Sequence, residues 1–384
     1  MLPAIQQDFG LSDVALGMIG ATFLWSYAFA SPFAGRMADH FPRERIIIWS
    51  VVLWSLVMLA TGFVSNYSLL LVLRVGLGLT ECLYIPAAFA LIASIHGPST
   101  RAKAMSTVVI GISVGVIAGG TFSGYIAEHF GWRSAFIVFG IVGLILSLLM
   151  KYFMHNNVSS NENVLDKGTT AEAFKYLIRT PSYLIVLLKV MLVGVSLWTF
   201  WNWLPYYFKQ LFHMDLGQAG FAGTFLLEFS AILGLAAGAW LSDIAVVRHA
   251  PKRMLLQALG NCFAAPFMIV FLLHPSLLMV GVSLFAFGFL RAAGDANEAS
   301  LVSEVIPSRY QATAYSISNT CAMAAGGVGV ILAGYFKAML GLHVIFAASA
   351  VLFLAAGIAL FVGYYNFMGR DIARAKTVNE IHNG

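Results

Sequence analysis

Gly35-Arg36-Met37-Ala38-Asp39-His40-Phe41-Pro42-Arg43-Glu44-Arg45 is a charged turn set between two long apolar segments. The chain as a whole is 60% hydrophobic and only 10% charged. A charge cluster in such a background marks a place where two membrane helices meet water.

Working outward from that turn, a membrane span needs about 20 apolar residues. Eleven segments qualify: 14–35, 45–64, 68–94, 103–126, 134–153, 183–207, 218–242, 254–273, 276–300, 311–335 and 342–366. One long polar stretch interrupts them, residues 154–180, rich in Asn, Ser, Lys and Glu. The expected organisation is an N-terminal bundle of five spans in 1–153 and a cytoplasmic linker in 154–182. A C-terminal bundle of six spans in 183–366 and a cytoplasmic tail in 367–384 complete it. The fold class is therefore an all-α polytopic membrane protein built of two helical bundles.

The bundles echo each other at an offset of 210 residues. Gly124-Tyr125 matches Gly334-Tyr335, Gly131 matches Gly341, and Phe136 matches Phe346. Leu241-Ser242-Asp243 followed by Lys252-Arg253 repeats Met37-Ala38-Asp39 followed by Arg43 and Arg45. Parallel repeats around a linker are one transporter plan. Basic residues set the orientation. If the 36–45 turn is cytoplasmic, 16 Lys and Arg fall on its side, and only Arg133, Lys209 and Lys337 on the other. The C-terminus is then cytoplasmic, and a bacterial inner membrane is the expected location.

Composition excludes other classes. A net charge of +5 in a soluble chain would point to nucleic acid, but here it follows from cytoplasmic loops. Cys82, Cys262 and Cys321 lie in apolar segments with no zinc-site spacing, so neither a metal nor another cofactor is expected. Asp8 and Asp13 stand where a cleavable signal would need a basic region. There is no H-E-x-x-H, Gly-x-Ser-x-Gly or nucleotide loop, so nothing points to an enzyme. A sensor derived from a transporter stays open.

The 35–45 turn resembles the loop between the second and third helices of the major facilitator superfamily, written G-x-L-A-D-R-x-G-R-R, with His40 and Pro42 as departures. The resemblance implies a monomeric solute transporter with its first helix missing from this chain. Residues 1–12 are similar to the segment that follows that helix. A start codon read too late is favoured over a trimmed chain or a genuine eleven-helix protein. The eleven spans then become the family's helices 2 to 12. In helix 4, Arg74, Glu81 and Pro86-Ala87-Ala88 resemble the R-x6-E-A-x3-P-A pattern of the anion:cation symporter branch. Spinster-like lipid transporters share the Arg and Glu. The resemblance implies that Arg74 binds an anionic substrate and that Glu81 carries a coupling proton. It also implies that Gly35, Asp39, Arg43, Arg45 and Asp243 belong to a latch at the cytoplasmic turns.

The residues themselves fit those roles. Ionisable groups inside a span are costly and point to function. Arg74 and Glu81, seven apart, share a helix face roughly 10 Å apart. A guanidinium stays charged and offers a planar fork to a carboxylate. A carboxyl in low dielectric holds its proton more tightly, as a proton carrier must. The bland alternatives are an Arg74 that snorkels to the interface and a Glu81 that only packs. Arg291, Asp295 and Glu298 share one face of the tenth family helix. Arg291 and Asn297 are candidates for substrate contact and Asp295 for proton coupling, against a closed Arg291–Asp295 pair. Tyr84, Trp198, Trp201 and Asn202 are further substrate candidates. An interfacial aromatic belt is the other account of residues 198–207, and Lys189 reads as a snorkelling residue. Five glycines in helix 5, at 111, 115, 119, 120 and 124, read as a close-packed or rocking face.

The function read from this is transport of a small organic anion, a sugar acid or another carboxylate, with protons (or Na+) as the coupling ion. The alternative is a spinster-like carrier of lysolipid or sphingoid phosphate. The partners expected are the anion, the coupling ion and the lipid bilayer.

Overall fold

The computed structural model describes residues 1–154, 170–246, 251–273 and 275–383. The side chains at 35, 36, 38–40, 93, 98, 99, 101–103, 170, 243–246 and 381–383 lie outside that description. The latch candidates Gly35, Asp39 and Asp243 are therefore outside the described residues, although their backbone is helical.

The first half contains α1 (Leu2–Phe9), α2 (Asp13–His40), α3 (Arg43–Thr61), α4 (Tyr67–Glu81), α5 (Tyr84–Ile95), α6 (Pro98–Phe130) and α7 (Trp132–Met154). The second contains α8 (Thr170–Ile178), α9 (Pro181–Phe212), α10 (Leu216–Val246) and α11 (Lys252–Ala264), which runs on as a 3₁₀ stretch at Ala265–Leu273. There follow α12 (Leu277–Asp295), α13 (Glu298–Val305), α14 (Gln311–Asn366) and α15 (Met368–Asn383). Among the described residues, ten helical stretches are long and apolar enough to cross a membrane. The last of these includes all 56 residues of α14, which would be about 84 Å long at 1.5 Å per residue. That is far more than one hydrocarbon core of about 30 Å. It breaks at Gly341, where φ is 75° and ψ 157°, so it makes two crossings and the eleven spans are accounted for.

The 210-residue echo is structural. Gly131 (φ 81°, ψ 151°) takes the same backbone conformation as Gly341, one essentially reserved for glycine. In α4 a Cβ on Gly78 would run into Ser26 Oγ, and in α12 a Cβ on Gly288 would run into Ser230 Oγ. Equivalent helix pairs thus approach closely in both halves. Since no atom lies within 4 Å of a Cβ built on Gly131, Gly131→Ala tests backbone strain alone. We predict a loss of about 1–3 kcal/mol, read as a lower melting temperature in detergent. An unchanged melting temperature would contradict it.

By contacts the chain divides into two compact units. One comprises Met1–Asn163, Trp198–Thr224 and Gly326–Met339, the other Val164–Leu197, Phe225–Ala325 and Leu340–Gly384. In the first, each of the three basic residues on the sparsely charged side has an acidic partner. Arg133 pairs with Asp8 at 2.7 Å, Lys209 with Glu128 at 3.5 Å, and Lys337 with Asp13 at 2.6 Å. Glu128 also accepts the Leu216 N–H at 3.0 Å and so caps α10. Of the five glycines singled out in α6, Gly120 and Gly124 lie against the backbone of α10, while Gly111, Gly115 and Gly119 face open space.

In the second unit, α8 and α15 fall in stretches that read as linker and tail, yet both pack into a core. Ala173, Tyr176 and Leu177 meet Tyr310, Met368 and Ile372 there. Asp371, 1% exposed, accepts the Ser182 N–H at 2.9 Å and caps α9.

Candidate functional site

The span read at 68–94 is two helices. Pro86 lacks an N–H, and its ring crowds the carbonyl four residues back, so the helix stops at Glu81 and restarts at Tyr84. The Asn66 side chain accepts from Leu69 N at 2.9 Å and starts α4. At the other end the Ser50 hydroxyl donates to the Thr80 carbonyl at 2.6 Å. Arg74 therefore sits mid-helix and Glu81 at the break.

Arg74 lies on the wall of a cavity of about 350 Å³ within the first unit. Trp198, Trp201 and Asn202 line the same cavity. The guanidinium Cζ stands 5.0 Å from the ring centroid of Phe136, within cation–π range. Its Nε and Nη2 are buried and have no hydrogen-bond partner. The side chain does not snorkel. Arg74 and Glu81 act on each other electrostatically, but no direct ion pair joins them. Glu81 itself is not on the cavity wall.

Around this cavity α9 is irregular. Pro205 lies inside it, and the ring of Pro205 packs against Gly223 of α10. Asn202 Nδ2 donates to the Trp198 carbonyl at 2.9 Å. Trp198 and Trp201 meet edge to face, with centroids 4.9 Å apart. Phe200 and Trp203 are fully buried, and Trp203 Nε1 donates to the Val330 carbonyl at 3.1 Å. An interfacial belt therefore does not account for them.

The other candidates lie elsewhere. Tyr84 packs edge-on against Trp54, centroids 5.4 Å apart, beside Ile46, Ile47, Ala87, Ala88 and Leu91. Arg43 donates to the Ala90 carbonyl at 3.4 Å. Arg253, 210 positions on, bonds Glu304 at 2.8 Å and Ser242 at 3.1 Å. Each of these arginines thus ties the start of one helix to a second part of its own bundle. Arg45 is exposed.

Arg291, Asp295 and Asn297 belong to the second unit, where the span read at 276–300 also breaks, between Asp295 and Glu298. Arg291 Nη1 donates to Asp295 Oδ2 at 2.6 Å. Lys189, 1% exposed, sits between Asp295 Oδ1 and Glu298 Oε2, 2.5 Å from each. The snorkelling reading of Lys189 is thus corrected: it is a buried lysine at the centre of a four-charge network whose other members are partly exposed. Asn297 is fully buried, and neither of its side-chain polar atoms has a hydrogen-bond partner.

A further network was not legible in the sequence. Lys337 lies 3.7 Å above the Tyr206 ring while pairing with Asp13. Tyr206 donates to Gln6 Oε1 at 2.9 Å, and Gln6 Nε2 donates to Asp13 at 2.9 Å, closing a ring of four residues. Its only sequence signal was the isolated position of Lys337.

Among the described residues no group of three or more His, Cys, Asp or Glu is placed to hold a metal.

Comparison with known proteins agrees with this architecture. "Probable anion transporter 4, chloroplastic" of Oryza sativa subsp. japonica is 23% identical over 370 residues, 91% of this chain and 62% of that protein. "Ascorbate transporter, chloroplastic" of Arabidopsis thaliana is 25% identical over 353 residues, 86% of this chain and 64% of that protein. The chain thus spans about three fifths of the length of the curated relatives it matches. A solved structure of a bacterial homolog to the human lysosomal transporter Spinster, inward-facing and occupied, superposes with a TM-score of 0.81 at 19% identity. It covers 96% of this chain and 92% of that one, and shows the shared fold. The family description Major Facilitator Superfamily matches residues 1–330, and this multi-pass membrane protein belongs to the major facilitator superfamily.

Proposed function

We propose that the protein is a secondary transporter that moves a small organic anion by alternating access, with Arg74 holding the anion and Glu81 carrying the coupling proton. The observation that carries this reading is the buried Arg74 guanidinium, two of whose nitrogens have no partner and which lines a cavity. Unmet donors on a charged group in an apolar site are costly, and an anion meets them. The relatives named as anion and ascorbate transporters support it. A cavity of about 350 Å³ is at the small end of ligand sites, roughly 300–1,000 Å³. That suits a small anion better than a lysolipid, which needs room for a long acyl chain.

The basic-residue asymmetry supports a cytoplasmic 36–45 turn and C-terminus, and we propose a monomer in a bacterial inner membrane. In that orientation the paired residues Asp8, Asp13, Glu128, Arg133, Lys209 and Lys337 belong to the outer end of the first unit.

Glu81 separates binding from coupling. Glu81→Gln is expected to exchange anion across a proteoliposome membrane at near the native rate. It should lose accumulation driven by an imposed pH gradient. Accumulation by the Gln variant at the native level would remove Glu81 from the coupling role.

A further inference from the structure

At one end of the second unit, the short helix α8 leaves a face uncovered. Its buried side packs Ala173, Tyr176 and Leu177 against Tyr310, Met368 and Ile372. Its other side is open. Phe174 and Ile178, four residues apart, are 55% and 50% exposed. Lys175 and Arg179, each one position further along, are exposed as well. An apolar face flanked by cations is the pattern of a helix that lies in a membrane interface.

The spans beside it fix where this face lies. Only Arg179 and Thr180 separate α8 from α9. In the adjoining half of α9 the exposed apolar residues are Leu184, Leu188 and Met191, at helical spacing, the lipid-facing stripe of a span. After its break at Gly341, α14 carries a second such stripe, Val351, Leu354, Ile358, Val362 and Tyr365. A tyrosine at the end of a span marks the level of the interface. The two spans are neighbours there, since a Cβ on Gly363 would stand 3.1 Å from Ile185 Cδ1. Both stripes therefore run out at the same membrane surface, and α8 and α15 lie where they end.

The charges at this edge are one-sided. The exposed charged side chains described between Thr170 and Thr180 and on α15 are Lys175, Arg179, Arg370, Arg374 and Lys376, against Glu172 and Glu380. Asp371 is buried as the cap of α9, with Arg370 Nε 3.5 Å from it. Arg374 donates to the Arg179 carbonyl at 3.0 Å and lies 4.7 Å from the Tyr176 ring centroid. That contact brings the cations of α15 beside those of α8.

We infer that this edge binds an anionic phospholipid of the surrounding bilayer. Lys175, Arg179 and Arg370 face its phosphate, and its acyl chains lie along Phe174, Ile178 and the α9 stripe. In the orientation proposed above, the lipid belongs to the cytoplasmic leaflet. The surface is separate from the Arg74 cavity, which is lined by the first unit alone. A soluble anion would meet the cations but leave Phe174 and Ile178 in water, so the combination selects a lipid. Each basic residue beside an anionic membrane surface contributes roughly fivefold in affinity.

The test titrates the purified full-length chain in neutral detergent with dioleoylphosphatidylglycerol, dioleoylphosphatidylcholine or glycerol 3-phosphate. The rise in melting temperature gives an apparent Kd. Phosphatidylglycerol is expected to bind at least about tenfold more tightly than phosphatidylcholine, and glycerol 3-phosphate to give no rise. Raising the salt from about 0.05 M to about 0.5 M should shrink the preference, because exposed charges are screened. In the Lys175→Gln/Arg179→Gln/Arg370→Gln protein the preference should fall to about threefold or less. Arg45→Gln/Lys151→Gln, which removes two exposed cations of the first unit, should keep it. Each variant is compared with its own lipid-free melting temperature, so a changed baseline does not alter the reading. Equal binding of the two lipids to the native protein would overturn the inference. So would a triple variant that keeps the native preference, or a first-unit variant that loses it. A rise with glycerol 3-phosphate equal to that with lipid would make this a free-anion site instead. A dimer that the triple variant breaks, with no lipid preference, would make the face a contact between two copies of the chain.

Discussion

Arg74→Ala is expected to lower anion uptake at least about 100-fold, with the protein still folded and inserted. Hydrogen bonds to charged groups contribute about 1.5–3 kcal/mol each, and a guanidinium that holds a carboxylate through its planar fork makes two of them. Losing both is worth about 3–6 kcal/mol, of which 2.7 kcal/mol already corresponds to about 100-fold. The loss should appear in binding and not only in turnover. Arg74 makes no direct ion pair, and its loss removes only the longer-range attraction to Glu81, so the melting temperature without ligand should stay near native. A variant that unfolds would assign Arg74 to structure, and one that transports normally would remove it from the site.

The second large effect is expected on stability. Lys189 lies 2.5 Å from both Asp295 and Glu298 while almost completely buried. Arg291 holds the other oxygen of Asp295, and Gln257 reaches Glu298 at 3.4 Å. Two cations and two carboxylates balance. Breaking a buried pair by deleting one partner costs about 3–5 kcal/mol, because the other charge is left uncompensated. Lys189→Met should therefore lower the melting temperature strongly. Adding Asp295→Asn restores the balance as Arg291 with Glu298, so the double variant should recover part of the loss. A single variant as stable as the native protein would show that the network contributes nothing to folding.

The difference between these two sites explains what could be read from the sequence. Hydropathy, turn charges and the 210-residue echo identify the spans, because each is a local or periodic signal. The echo was exact enough to anticipate matching glycines at 131 and 341, which share one backbone conformation. The break after Glu81 also had a local cause, Pro86. The break at 296–297 had no proline to announce it. Arg74 and the Trp198–Asn202 segment were each legible as unusual residues within a span, but more than 120 positions separate them, and only the fold puts them on one cavity wall. Lys189 was misread because its partners are 106 and 109 residues away. A lysine near a span end looks the same in sequence whether it reaches water or a buried carboxylate. The helices α8 and α15 were missed for a related reason. They are short or polar, and what holds them is Tyr310 and the start of α9, which no local pattern reveals.

The most direct measurement is uptake of radiolabelled organic anions by proteoliposomes holding the native chain, with an inward proton gradient and with that gradient collapsed by a protonophore. Phenylacetate, gluconate and succinate serve as substrates, and Arg74→Ala serves as the control. The account predicts accumulation above equilibrium of at least one anion, loss of that accumulation on adding protonophore, and none by the Arg74→Ala protein. No anion accumulating under the gradient, or accumulation unaffected by the loss of Arg74, would contradict it.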